Sequence, residues 1–228
     1  MSALLLSAMV MLLSCKQQAM DNGNSHQKKD KVAAAAYYNT QLGLAYLNQG
    51  NIPRAKRKLL QALALNKSSP DVNAALAYYY EKTKEANEAT TYYKKALEYS
   101  HHDGAQLNNY GAFLCRQGQF DKAEQYFLDA VKDMRYLHTA GAFENAGLCA
   151  LENKQQDKAR EYFTKALSQD QTRVQSLYEL VTMALNQQQW LEAKKYLETY
   201  PVLVSENKSL QALSDKVAGK ESTSETGA

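Results

Sequence analysis

The chain has 228 residues, 45% of them hydrophobic and 22% charged, with 3 Pro and 10 Gly, which is material for one or two packed domains. A formal charge of +3, from 27 basic and 24 acidic residues, leaves no large positive field for a phosphate backbone, so nucleic acid is not an expected partner. The scarcity of Pro and Gly, beside abundant Ala, Leu, Lys, Gln and Glu, favours helix almost everywhere.

The first element is an apolar run, Ala3 to Leu13. Its eleven residues fall short of the ~20 a helix needs to cross a bilayer. The run has the length of a secretory signal core, and Leu12-Leu13-Ser14-Cys15 resembles a bacterial lipobox, although no positive charge precedes it and Leu13 is bulkier than usual. Residues 1–14 are therefore expected to be a lipoprotein signal peptide, with Cys15 as the acylated mature N-terminus and covalent lipid as the sole attached group. The competing reading, an uncleaved apolar terminus folded onto the body, is opposed by the polar segment that follows. In bacterial lipoproteins an Asp after the cysteine favours inner-membrane retention; Lys16 stands here, so the expectation is lipid anchorage on the periplasmic face of the outer membrane. Residues 15–32 have almost no apolar content or periodicity and read as a lipidated flexible tether.

A repeat runs through the remainder. Gly43, Ala77, Gly111 and Gly147 are separated by 34, 34 and 36 positions, and the Ala55, Ala89, Ala123, Ala159 and Ala62, Ala96, Ala130, Ala166 columns keep the same step. A bulky column, Leu59, Tyr93, Phe127, Phe163, accompanies them and continues to Leu197 in a weaker fifth copy with Val181 at the small site. Two helices whose axes lie ~8–10 Å apart accept only small residues where they cross, and larger neighbours fill the space beside the crossing. The pattern resembles the tetratricopeptide repeat. The implied fold is all-α, a right-handed superhelical solenoid of about five helix-turn-helix repeats at 36–69, 70–103, 104–137, 140–173 and 174–207. A two-residue insertion near Leu137 to Thr139, a capping helix at 208–218 and a disordered tail at 219–228 complete it. Pro53 and Pro70 suit helix starts, and Tyr200-Pro201 ends the last full helix.

Catalysis finds little support. There is no Gly-rich phosphate loop or serine elbow, and His101-His102-Asp103 reads as a solvated loop at a repeat junction with no cysteine at metal-ligand spacing. No catalytic residue, metal ligand or small-molecule substrate is expected. Cys115 and Cys149 occupy repeat positions 12 and 10, which point in different directions; export would permit a bond, but two small buried or groove-side thiols are the default. Most of the sixteen tyrosines read as packing residues with wet hydroxyls, Tyr46, Tyr80, Tyr93 and Tyr110 on interior columns and Tyr37, Tyr78 and Tyr178 off them.

Function is expected on the concave face, where first-helix positions 2, 5, 6, 9, 12 and 13 point. These include Tyr37, Gln41, Leu44, Leu47 and Tyr78, a surface suited to an amphipathic helix or extended peptide unless the tether or N-terminal helix of the same chain covers it. Asn109 and Asn145 share one groove position, and their amides offer a donor and an acceptor to a peptide backbone or, alternatively, to a neighbouring helix.

The stretches TQLGLAYLNQGNIPRAKRKLLQAL, LNNYGAFLCRQGQFDKAEQYFLDA and FENAGLCALENKQQDKAREYFTKAL, behind a lipobox and polar tether, closely resemble the type IV pilus biogenesis and stability lipoproteins, the PilF/PilW pilotin family, over about residues 36–200. The resemblance implies a non-enzymatic outer-membrane lipoprotein that binds the secretin subunit of the pilus and promotes its localisation and multimerisation. Members of that family tend to have six repeats, against five here and at most one extra helix. A periplasmic adaptor for a cell-wall synthesis or outer-membrane assembly complex would use the same fold and anchor.

Overall fold

A computed structural model describes residues 27–225, with side chains through residue 220; the apolar run, Cys15 and residues 16–26 of the tether lie outside them. The described residues form twelve helices and no strand. They divide into two compact units, through Ser100 and from His101.

The first unit holds α1 (27–48), α2 (Ile52–Leu65), α3 (Pro70–Lys82) and α4 (Ala86–Tyr99). The helix starts follow from local chemistry. Asn51 Oδ1 accepts from the Arg54 N–H at 3.3 Å and Ser69 Oγ from the Val72 N–H at 3.4 Å, while Pro53 and Pro70 occupy first-turn sites whose N–H would be unpaired anyway. Leu47, Ala55, Leu59, Ala62, Val72, Leu76 and Tyr79 form the core of this unit. Residues 27–32, assigned to the tether from composition, are helical and belong to α1.

The second unit holds α5 (Gly104–Arg116), α6 (Phe120–Lys132), α7 (Thr139–Glu152), α8 (Gln156–Gln169), α9 (Val174–Asn186) and α10 (Trp190–Thr199). A short α11 (Pro201–Glu206) and α12 (Lys208–Glu225) follow, and Leu210 and Val217 are buried. Helix α12 thus runs past 218 into the segment expected to be a disordered tail. Asp103 caps α5, its Oδ1 accepting from the Gln106 N–H at 2.8 Å, while His101 and His102 are exposed and left-handed, at φ 55° and 59°. The longer junction before α7 is braced by Asp133, which accepts from the Gly104 N–H at 2.9 Å and the Arg135 N–H at 3.1 Å, and leaves Met134 and Leu137 97% and 88% exposed.

Within each hairpin the small column does what packing requires. A Cβ added to Gly147 would lie 2.6 Å from Phe163 Cε1, and one added to Gly43 would lie 2.6 Å from Leu59. The turn between paired helices closes with one left-handed residue, φ 73° at Gly50, 64° at Lys84, 72° at Gly118, 59° at Lys154 and 58° at Gln188. Three of the five turns therefore place a side chain where glycine is unstrained.

Two stability effects of opposite sign follow. Lys154→Gly should stabilise the second unit by about 0.5–1 kcal/mol, because relief of left-handed strain exceeds the added unfolded-state entropy. Gly147→Val should destabilise it by about 2–4 kcal/mol through overpacking against Phe163. Urea titrations followed by far-UV circular dichroism read both; a neutral Gly147→Val would refute the crossing constraint.

Candidate interaction face

In the first unit, Tyr37 and Gln41 are exposed on α1, and Leu44 and Tyr78 are half-buried against the core cluster, the Tyr78 ring lying 5.1 Å from the Lys82 ammonium. These four present an apolar and aromatic face with one amide. Leu47 does not join them. It is 6% exposed and belongs to the core. Cys115 and Leu185, at the same repeat position, are buried too, so this position looks sideways into the junction with the next first helix rather than into the groove. Tyr93 and Tyr110 are buried as expected, Tyr46 and Tyr80 half-buried, and the sequence reading passed over Tyr79, which is 3% exposed. Burial raises the Tyr79 and Tyr80 phenol pKa values, and the Tyr80 ring stacks on Tyr92 at 5.4 Å.

In the second unit the two groove asparagines part company. Asn109 is exposed, with its Nδ2 donating to Gln106 Oε1 at 3.4 Å within α5. Asn145 is half-buried and donates to Asn108 Oδ1 at 3.0 Å, from α7 to α5. The Asn145 amide therefore joins two adjacent first helices by a side-chain bond, while Asn109 remains presented to solvent. Neighbouring position 5 also ties repeats together. Glu144 accepts from the Ser176 N–H at 3.2 Å and its hydroxyl at 2.8 Å, and pairs with Arg173, so α7 holds the first turn of α9. Position 9 of the same surface carries Leu148, partly exposed, and Thr182, whose buried hydroxyl oxygen has no hydrogen-bond partner among the described residues. Position-9 periodicity would have singled out both beside Leu44 and Tyr78.

Cys115 and Cys149 are bonded, with Cα atoms 5.8 Å apart, which corrects the expectation of two separate thiols. Two repeat positions amount to about 200° around a helix, so positions 12 and 10 lie on nearly opposite sides. Opposite sides are the ones that two parallel neighbours turn toward each other. The bond joins α5 to α7, the same two helices that the Asn108–Asn145 contact joins.

On the second helices, charge pairs link consecutive repeats. Lys158 meets Glu124 at 2.7 Å and Arg160 meets Glu192 at 2.8 Å, with Tyr162 donating to Glu124 at 2.5 Å. Burial raises the Glu124 pKa, but bonds from Lys158 and Tyr162 outweigh it and hold the carboxyl below its ordinary value. Each group is satisfied within the scaffold and exposes no reactive centre. Among the described residues no group of three or more His, Cys, Asp or Glu is placed to hold a metal ion, and no helix is long and apolar enough to cross a membrane.

Stacked hairpins with a small-residue crossing define a tetratricopeptide-repeat protein, a class of protein-interaction scaffold, and the tetratricopeptide repeat family matches residues 40–103 and 105–172. Type IV pilus assembly protein PilF of Pseudomonas aeruginosa is 33% identical over 199 residues, 87% of this chain and 78% of PilF. A solved structure of that PilF superposes with a TM-score of 0.71 at 31% identity, covering 87% of this chain and 88% of its own. The structure of PilW, a type IV pilus biogenesis factor, shares the fold, with a TM-score of 0.67 at 24% identity over 81% and 84% of the two chains. The chain belongs to the family of the type IV pilus assembly protein PilF.

The bond across α5 and α7 closes a loop of 34 residues, for which chain entropy gives ~3–4 kcal/mol. Replacing both Cys115 and Cys149 by Ser should lower the unfolding free energy by about 2–4 kcal/mol, and thiol labelling of the unreduced, denatured parent should leave both cysteines unmodified. Ready labelling of either one would contradict the bond.

Proposed function

We propose that this type IV pilus biogenesis factor is a pilotin: an outer-membrane lipoprotein, anchored on the periplasmic side through Cys15, that captures the pilus secretin and promotes its localisation and multimerisation. The observation that carries the reading is the 33% identity to PilF across 87% of the chain, a span that includes both helical units. Recognition uses the α1–α3 face, where Tyr37, Gln41, Leu44 and Tyr78 offer apolar surface with a single amide for orientation. Covering a partly exposed apolar side chain is worth at most ~1.5–3 kcal/mol, so a partner helix or strand lying on several of them gains useful affinity without any charge pair. Asn109 supplies a second, polar contact for a peptide backbone on the α5 surface. The lipid keeps this surface beside the membrane in which the secretin assembles, raising the effective concentration of one for the other.

The groove assignment is tested with Tyr37→Ser combined with Leu44→Glu in the full-length protein. Secretin capture from detergent-solubilised envelopes should fall about tenfold or more, on the order of 1.4 kcal/mol, with helicity unchanged. Leu47→Glu is the contrasting variant and should lose helicity itself, since it drives a carboxylate into the core. Capture at the parental level by the folded double variant would move the site off α1. The anchor is read separately. Cys15→Ala should abolish incorporation of labelled palmitate and release the protein from the outer membrane, and persistent lipidation would remove Cys15 from the scheme.

A further inference from the structure

No described residue covers the outer side of the first hairpin, and its chemistry differs from that of the later hairpins. Repeat positions 3 and 7 of the first helix are buried in later repeats: Val72 and Leu76 on α3, Ala142 and Ala146 on α7, Ser176 and Leu180 on α9 are at most 2% exposed. The same positions on α1 are Tyr38, 65% exposed, and Leu42, 45% exposed. Position 19 of the second helix differs between the first repeat and the last two. Lys158 and Glu192 at that position pair with Glu124 and Arg160 of the preceding repeat. No repeat precedes Arg54, at that position in α2, among the described residues, and its guanidinium lies 5.6 Å from the Tyr46 ring centre.

Charge is concentrated on the same hairpin. Residues 27–69 contain eight Lys and Arg, namely Lys28, Lys29, Lys31, Arg54, Lys56, Arg57, Lys58 and Lys67, against the single acid Asp30. The whole chain is only +3, so this segment carries a local excess of +7 that the rest, at −4, offsets only in part. Helix α2 contains no acidic residue, and Leu60 and Leu65 are exposed beyond its cations.

We infer that this end of the first unit is a membrane-contact face that seats on an anionic bilayer surface. Cations over exposed Tyr and Leu are the composition of an interfacial surface, with the rings at headgroup depth and the lysines and arginines among anionic headgroups. A second copy of the chain does not suit the face, because two hairpins with the same cationic excess would repel. Position along the chain agrees: only residues 16–26 separate Cys15 from α1, a reach of at most ~40 Å, so an acylated Cys15 holds this end of the protein against the headgroups. That last point rests on the lipid-anchor reading; the burial contrast and the charge excess do not. Contact here would turn the α1–α3 recognition face to a fixed height above the bilayer, with the patch acting as the second attachment signal beside the acyl chains.

The test reconstitutes the full-length protein with vesicles of phosphatidylcholine alone or with about 30% phosphatidylglycerol, and measures acetylation rates of Lys31 and Lys154 by mass spectrometry. Lys31 should react at least fivefold more slowly on the anionic vesicles, regain its rate in 0.5 M salt at about a 4 Å screening length, and lose protection in the Tyr38→Ser, Leu42→Ser, Arg54→Glu variant. Lys154, on an exposed turn of the second unit, should not change. Equal Lys31 rates on the two lipids would overturn the inference, as would equal slowing of both lysines; protection of Lys31 only after adding purified secretin would assign the face to protein instead. Retention on the neutral vesicles reports the acyl anchor independently. Loss of that retention with Lys31 still protected on anionic vesicles would sink the anchor and leave the face standing.

Discussion

The contact on which the structure depends is the crossing of the two helices in each hairpin, where Gly43, Ala77, Gly111 or Gly147 meets Leu59, Tyr93, Phe127 or Phe163. With at most a methyl group on one helix, the backbones approach until the ring or leucine of the other fills the gap, and these bulky residues are buried in all four hairpins. The approach fixes how each helix is rotated about its axis. Rotation decides everything further out: which residues meet the next hairpin, which close the turn, and which are left facing a partner. A binding surface here is a by-product of a packing constraint, and its side chains are free to vary because they do not hold the scaffold together.

This division explains what could be read before any coordinates. The crossing admits few residue types and recurs every 34 positions, so the hairpins, their order and the tyrosines at 93 and 110 were legible. Helix starts were legible where a proline marks them, at Pro53 and Pro70, whereas the Asp103 cap of α5 lay within a stretch that reads as solvated loop. Sideways contacts were not. Leu47 at position 12 lies within a small rotation of the groove positions, and sequence periodicity does not resolve that angle; only the neighbouring helix settles that it is core. The Cys115–Cys149 bond was missed for a related reason. Different repeat positions suggest side chains that point apart, whereas parallel neighbours meet through nearly opposite sides. Helix ends were hidden too: a polar composition at 27–31 and beyond 218 is compatible with helix continuing from a packed segment that has already met the nucleation cost.

Asn145 illustrates why a groove position does not by itself define a free ligand contact. Its partner Asn108 sits on the preceding first helix, one residue before Asn109, so the doublet divides two tasks: one amide joins α5 to α7 and the other faces solvent. The disulfide nearby serves the first task more strongly. Covalent closure between α5 and α7 limits their fluctuation, and a surface that changes little on binding loses less entropy when a peptide settles on it.

Order among the hairpins of the second unit is also written in charge. Position 21 of one repeat meets position 19 of the next as Glu124 with Lys158, then as Arg160 with Glu192, so the signs alternate along the array. Each pair is partly exposed and worth only ~0.5 kcal/mol, too little to hold hairpins that already share buried apolar surface. Their larger effect is on arrangement: bringing the third repeat directly against the fifth would set Glu124 against Glu192, and the like charges would oppose that stacking. The column therefore selects sequence order more than it adds stability. No such pair is formed by Arg54 of the first hairpin among the described residues, and the charged residues of α2 beside it are all cationic. The first hairpin thus keeps a cationic excess that its own residues do not neutralise, and it is this excess that the proposed contact with an anionic surface would use.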